Sequence, residues 1–282
     1  MADWYISGDG QSHTSVGLSA AAPAGTSVAG SGVAHTKGAW VSLGTTGGES
    51  GLLSVHAHGA VSWSAPGSPP DQTISLLDIG FDAGTTTAVI PNLLVYHPAA
   101  LVGSPAAAVF ALPVHVPAGS ALYARCQSAD GNAVTLGVSC SLAASGWGAS
   151  AAPQRVEALG ASTGSSDGTN VTPGAAPSWG SYAELSPATA NRADWLVVAA
   201  GCPGSFPATG ATHNYLVQIA VGAAASEVTV LTVPVTVNEL GQVTQPYSPA
   251  LPVAIPAGTR VSARATTSTG GPNLTVAAYT AG

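Results

Sequence analysis

"IPAGTRVSARA", residues Ile255 to Ala265, is one turn followed by one strand, and "VPAGSALYA", Val116 to Ala124, says nearly the same thing earlier in the chain. Proline gives no amide hydrogen to a sheet ladder and presets φ, so Pro256 ends a strand; Ala257 and Gly258 then turn the chain, glycine being free to take positive φ. Thr259 opens the next strand, in which Val261, Ala263 and Ala265 alternate with polar positions. Pro117, Ala118 and Gly119 repeat the turn, and Leu122, Ala124 and Cys126 repeat the alternation. Such a turn shapes a scaffold, so its recurrence reports a duplicated scaffold.

Working outward, a shift of 142 pairs Gly38 with Gly180, Trp40 with Tyr182, Leu43 with Leu185, Val55 with Val197, Gly59 with Gly201 and Gly80 with Gly222, with no gap expected. Past a loop-length change near residues 97 to 108 the shift is 139, which lays "LPVHVPAG" (Leu112 to Gly119) on "LPVAIPAG" (Leu251 to Gly258) and Arg125 on Arg264. Upstream, "GTSV" (Gly25 to Val28) matches "GTNV" (Gly168 to Val171) at 143. A period this long means duplicated domains, since solenoid repeats run about 20 to 50 residues. The expected division is an N-terminal arm 1–16, a first sandwich 17–142, a linker 143–158 and a second sandwich 159–282.

Each copy reads as strands. In the first they are expected at Ala39 to Leu43, Leu53 to Ala57, Val61 to Ser64, Thr73 to Phe81, Ala88 to Val95, Ala107 to Pro113, Ala121 to Ser128 and Val134 to Leu142, separated by Gly, Pro, Asp and Asn. The fold class is therefore all-β: two tandem jelly-roll-like antiparallel β-sandwich domains from an internal duplication. One short helix is expected around "APQRVEALG" (Ala152 to Gly160), followed by a flexible, exposed "ASTGSSDG" (Ala161 to Gly168).

Only 7% of the 282 residues are charged; Lys37 is the sole lysine, and 13 acids give a formal charge of −7. Such a surface neutralises no row of phosphates and attracts no anionic membrane, so neither nucleic acid nor membrane is an expected partner. No stretch reaches the roughly 20 apolar residues of a membrane span. The start, "MADWYISGDG", lacks a basic end followed by an apolar core, so synthesis in a cytoplasm is expected. Cys126 and Cys140 flank the turn "SADGNA", and a hairpin centred there offsets them by about five residues, roughly 16 Å, too far for a bridge. Together with Cys202 they are expected to be unpaired thiols.

Few residues suit chemistry. His56 and His58 in "SVHAHG" lie two apart and so share a strand face, a spacing that suits a metal; His13, His35, His97 or an acid could be a third ligand, and an exposed or interface pair is the other reading. Asp78 and Asp82 flank a glycine turn without the ligand density of a calcium loop. "GASTG" (Gly160 to Gly164) has the letters of a serine-nucleophile motif but not the strand-to-helix setting. No catalytic residue and no cofactor is expected. Arg125 and Arg264 are expected to pin a loop carbonyl or carboxylate of their own domains. Trp40 and Trp195 are expected in the cores, Trp63 and Trp147 at the surface as candidate glycan contacts. Trp4, Tyr5 and Ile6 form an apolar end that either packs on the first domain or docks on a partner.

"HTKGAWVSLG" (His35 to Gly44), followed by "LPVHVPAGSALYARCQS" (Leu112 to Ser128), resembles a β-sandwich domain of virion proteins of tailed bacteriophages and gene transfer agents. The resemblance implies a non-enzymatic structural component of the virion surface, a head spike, fibre or decoration protein assembled in the host cytoplasm. Its implied partners are other virion proteins, with host cell-surface polysaccharide as a candidate ligand. Trp4, Tyr5 and Ile6 would then attach one sandwich to the particle. The weak charge repulsion and the symmetry of particles lead to an expected homo-oligomer, a trimer or pentamer. A tail fibre or baseplate receptor-binding adhesin and a bacterial carbohydrate-binding module are the alternatives.

Overall fold

The computed structural model describes residues 14–58, 72–81, 87–98, 108–129, 134–143, 155–201, 212–238, 243 and 247–282. Its regular elements are all strands. The first copy contains β1 (Thr14–Val16), β2 (Thr26–Ala29), β3 (Val41–Thr45), β4 (Leu52–His58), β5 (Gln72–Phe81), β6 (Thr87–Pro98), β7 (Ala108–Leu112), β8 (Ala121–Ser128) and β9 (Thr135–Ala143). The second contains β10 (Val156–Leu159), β11 (Thr169–Val171), β12 (Ala183–Ser186), β13 (Ala193–Gly201), β14 (His213–Val221), β15 (Val228–Val237), β16 (Leu251–Ile255), β17 (Val261–Thr267) and β18 (Leu274–Ala281).

In the first copy a five-stranded sheet, β1-β9-β4-β7 with β2 also on β9, accompanies a four-stranded sheet, β3-β8-β5-β6. Adding nine to every label gives the second copy: β10-β18-β13-β16 with β11 on β18, and β12-β17-β14-β15. All pairings within these sheets are antiparallel. The duplicated unit is thus a whole nine-strand sandwich.

The Pro-Ala-Gly turn is fixed identically in both. Gly119 and Gly258 each take φ of 75°, a conformation costly for a residue with a Cβ. Buried Thr46 bonds the turn four times: its N–H to Ser120 O (2.9 Å), its carbonyl from Gly119 N (3.1 Å), its hydroxyl to Pro117 O (3.0 Å) and from Ser120 N (3.0 Å). Thr189 makes the same four bonds to Thr259, Gly258 and Pro256.

The threonines also correct the alignment. Thr46 and Thr189 are 143 apart, because "SPAT" (Ser186 to Thr189) holds one residue more than "GTT" (Gly44 to Thr46). On β4 the core-facing residues are Leu53, Val55 and Ala57; on β13 Leu196, Val198 and Ala200 line the second core. Val55 therefore answers to Val198 and not to Val197. A one-residue slip exchanges the faces of a strand, so a gapless match cannot hold. Likewise Gly80, opposite Tyr123, answers to Ala220, opposite Ser262, and not to Gly222.

Seven of the eight expected strands lie where the pattern put them; Val61 to Ser64 falls outside the described residues. Two segments read as unpaired are partly strand. β1 lies within the segment taken as an arm, and β10 begins within the segment taken as linker and helix. The free edge of β18 offers Val156 to Leu159 a ladder that a helix would leave unmade; residues 152–154 of the expected helix lie outside the described residues. The loop after β10 is held, too: Gln127 Nε2 donates to Thr163 O and to the Ser166 hydroxyl, both at 2.8 Å, and Ser166 is buried, although residues 162–165 are exposed as expected.

This clamp belongs to an interface between the copies. Val156, Val197, Ala199, Ala277, Tyr279 and Ala281 of the second copy join the apolar cluster of the first. At its centre lies β6, an edge strand whose outward backbone groups meet two tyrosines. The Tyr279 hydroxyl donates to Asn92 O (2.9 Å) and accepts from Leu94 N (2.7 Å). The Tyr247 hydroxyl donates to Leu94 O (3.0 Å) and accepts from Tyr96 N (3.3 Å). Both rings pack on Phe110, with centroids 4.1 Å away for Tyr247 and 6.0 Å for Tyr279.

Cys126 and Cys140 are buried and unpaired, but not by the hairpin offset expected: β8 and β9 belong to different sheets. Burial pushes both thiols up to about 12. Neither should react with a thiol reagent at pH 8 until the protein is unfolded; rapid modification of either in native protein would contradict their placement.

Removing single hydroxyls tests the junction and the repeated turn. Tyr279→Phe orphans Leu94 N–H and the Asn92 carbonyl and should cost about 1 to 3 kcal/mol in denaturant unfolding, and Thr46→Val, which leaves Ser120 N–H only its longer bond to Pro117 O (3.3 Å), about 0.5 to 1.5 kcal/mol.

Candidate functional site

The repeated arginines stand on equivalent strands, β8 and β17, beside β5 and β14. In the first copy Arg125 lies opposite Asp78, and Arg264 in the second lies opposite Gln218. A segment preceding β3 or β12 crosses over each. It is held by Gly38 N to Cys126 O and by Gly180 N to Ala265 O, both 2.9 Å. A Cβ on either glycine would strike the backbone of the neighbouring loop, which explains the matched pair. The crossing segment delivers Lys37 and Trp40 in the first copy, Trp179 and Tyr182 in the second.

The first cluster is closed. Asp78, 2% exposed, accepts from Lys37 Nζ (2.7 Å), Arg125 Nε (2.9 Å) and Asn92 N (2.8 Å). The Arg125 guanidinium carbon sits 4.4 Å from the Trp40 ring centroid. Burial draws the Lys37 ammonium below its usual range, outweighing the pull of Asp78 in the other direction. The expected role of Arg125, pinning a carboxylate, holds. Asp78, however, is a buried strand residue and not part of a glycine turn, and Trp40 is half-buried over the arginine instead of lying in the core. Trp195 is also half-buried, against the core's edge.

The second cluster is open. Arg264 Nε donates to Gln218 Oε1 (2.8 Å), and the guanidinium carbon lies 4.4 Å from the Tyr182 centroid and 5.0 Å from that of Trp179. Tyr182 OH reaches the Thr229 hydroxyl (3.2 Å), which donates to Gln218 Oε1 (3.4 Å). Thr266 donates its hydroxyl to Ser178 O (2.8 Å), holding the strap that carries Trp179. Arg264 thus pins a side-chain amide, neither a loop carbonyl nor a carboxylate. Among the described residues its two terminal nitrogens have no acceptor. Trp179, Tyr182, Gln218 and Arg264 are all half-buried, so rings, amide and guanidinium meet solvent together.

His56 and His58 share the outer face of the first five-stranded sheet, as their spacing requires. Opposite His56 stand Ser139 and Val109. No group of three His, Cys, Asp or Glu side chains that could hold a metal occurs among the described residues. Burial, then the neighbouring His58, lowers the His56 pKa below its usual 6.5. Their counterparts are Ala199 and Gly201, and not the Val198 and Ala200 that the shift of 142 gives. Trp4, Tyr5, Ile6, Trp63, Trp147, Cys202, His13 and Asp82 lie outside the described residues.

No family model matches the sequence, and neither does any curated protein. A solved structure of the N-terminal CBM22-1 and CBM22-2 tandem domain of Paenibacillus barcinonensis Xyn10C is similar over 97% of this chain and 91% of its own length, at 13% identity and a TM-score of 0.26. A likeness that weak carries no argument about the site.

Two measurements separate closed from open clusters and test the histidine face. Asp78→Ala leaves two half-buried cations without their acid and should cost about 1.5 to 3 kcal/mol, whereas Gln218→Ala should cost about 1 kcal/mol or less. In a proton NMR titration His56 should ionise below the usual histidine midpoint, and His58→Asn should move that midpoint part-way back up.

Proposed function

We propose that the chain is a non-catalytic surface protein that binds polysaccharide through the outer face of the second copy, and that it is displayed on a tailed-phage particle. The open cluster around Arg264 carries the first half of this reading. Aromatic faces, an amide and unspent N–H donors in one half-buried patch suit a sugar, whose ring has apolar faces and whose rim is hydroxyl. The cluster in the first copy that brings acid and base together, Asp78 with Lys37 and Arg125, spends those groups on one another. The resemblance of His35 to Gly44 and Leu112 to Ser128 to virion sandwiches supports the placement. In this chain those stretches build the Lys37 and Trp40 strap, the Pro-Ala-Gly turn and β8, so what they share with virion proteins is scaffold.

Binding of the purified chain to immobilised bacterial surface polysaccharides tests the ligand. Trp179→Ala and Tyr182→Ala should each weaken retention about two- to tenfold at unchanged stability, the worth of one stacking contact. Retention on no polysaccharide, or variants that bind like the parent, would refute the reading. Antibody labelling of intact particles tests the placement separately.

A further inference from the structure

Comparing the two clusters residue by residue says which sugar. Lys37 corresponds to Trp179, Trp40 to Tyr182, Asp78 to Gln218 and Arg125 to Arg264. The formal charges sum to +1 in each set, but they are arranged differently. Arg125 is met by a carboxylate at 2.9 Å; Arg264 is met by an amide oxygen that brings no charge and takes only Nε. Glu184, on the strand beside β17, is engaged by Arg260 at 2.7 Å, and Glu227 by the same arginine at 3.0 Å. In both copies the neighbour takes only Nε, so the terminal nitrogens have no acceptor among the described residues in either; what Arg264 lacks is the balancing carboxylate that Asp78 gives Arg125 from within.

We propose that the ligand supplies it: the site takes a hexuronic acid unit, its ring on Trp179 or Tyr182 and its carboxylate on the terminal nitrogens of Arg264. This deepens, and rests on, the polysaccharide reading above. A guanidinium presents parallel N–H groups that match a carboxylate two to two, and such charge-assisted pairs are about twice as strong as neutral hydrogen bonds. Swapping Lys37 and Asp78 for Trp179 and Gln218 does both things the ligand needs. It removes the internal acid and puts a stacking ring beside the freed cation. Gln218 and Thr229 keep Arg264 in place without neutralising it.

The test is calorimetric titration of the full chain with tetramers of galacturonate, glucuronate and mannuronate and with their methyl esters, which keep the rings and remove the charge. At least one acid should bind about tenfold or more tightly than its ester, weaken as salt is raised, and lose that advantage in Arg264→Gln. Arg192→Gln, an exposed arginine of the second copy away from the cluster, should bind like the parent. Equal binding of acid and ester, both weakened by Trp179→Ala, would overturn the acidic ligand and leave the polysaccharide reading standing. Acetate binding as tightly as the tetramers would overturn the sugar-specific assignment. If none of the acids or esters binds, the acidic-sugar proposal falls, and the separate panel of surface polysaccharides decides the broader reading.

Discussion

Two tyrosine hydroxyls decide the form of this protein. β6 is an edge strand twelve residues long, and an edge of that length with apolar neighbours invites pairing with any passing strand. Tyr279 and Tyr247 answer its successive outward groups, each hydroxyl donating to one carbonyl and accepting from one amide. Because burial raises both phenol pKa values far above the usual 10, the donors stay protonated at every ordinary pH. A sheet ladder would have bonded the same backbone groups and consumed the edge in an open-ended pairing. Side-chain hydroxyls cap it and bring their rings onto Phe110. One contact thus closes the first sandwich and joins it to the second.

That junction leaves the two copies with different exposed faces. The outer face of the second five-stranded sheet is buried against the first copy, and there Ala199 and Gly201 give room; a Cβ at Gly201 would run into the Tyr96 ring. The same face in the first copy has no such cover among the described residues and carries the half-buried His56 and His58. The four-stranded sheets diverge in the other direction. In the first, part of the outer side is covered and the rest is sealed by the Lys37, Asp78 and Arg125 lock. In the second, free of that cover, the lock has been rebuilt as rings around an arginine. Duplication followed by unequal burial explains why one scaffold carries a stabilising cluster once and a candidate binding cluster once.

The scaffold was largely legible in the sequence because its signals are local. Pro117 to Gly119 and Pro256 to Gly258 announce their turns by chemistry alone, and period-two alternation locates β8, β9, β17 and β18. Short edges were less legible: β1 and β10 have three or four residues each and owe their existence to the ladders they join. The cluster was half legible. Arg125 with Arg264, and Trp40 with Tyr182, were recognised as pairs. What hid the rest was one residue in "SPAT" and the loop differences after it, for a gapless match sets Asp78 against Ala220 and conceals the exchange for Gln218. Which faces meet, and hence which tryptophans are covered, depends on contacts between residues some 150 to 190 apart, such as Leu94 with Tyr247 and Tyr279, that no local pattern encodes.

The same comparison explains why the second copy does not offer the junction again on its own edge. Were the junction reusable, β15 would dock on the open sheet face of another chain as β6 docks on the second copy, and the head-to-tail contact would propagate without closing. Both surfaces lack the parts. Pro234 stands where Leu94 stands on β6, so the edge has no amide to give at the place Tyr279 reads, and proline is itself a common way to blunt an exposed edge. On the receiving face Ser141 occupies the place of Tyr279 and Val109 that of Tyr247, leaving neither a ring to fill the gap nor a phenol to bridge consecutive backbone groups. The second sandwich keeps an open cleft of about 170 Å³ beside β15, lined by Val198, Ala200 and Pro234. Among the described residues there is one reader of the junction and one edge to be read, and each has lost its complement elsewhere.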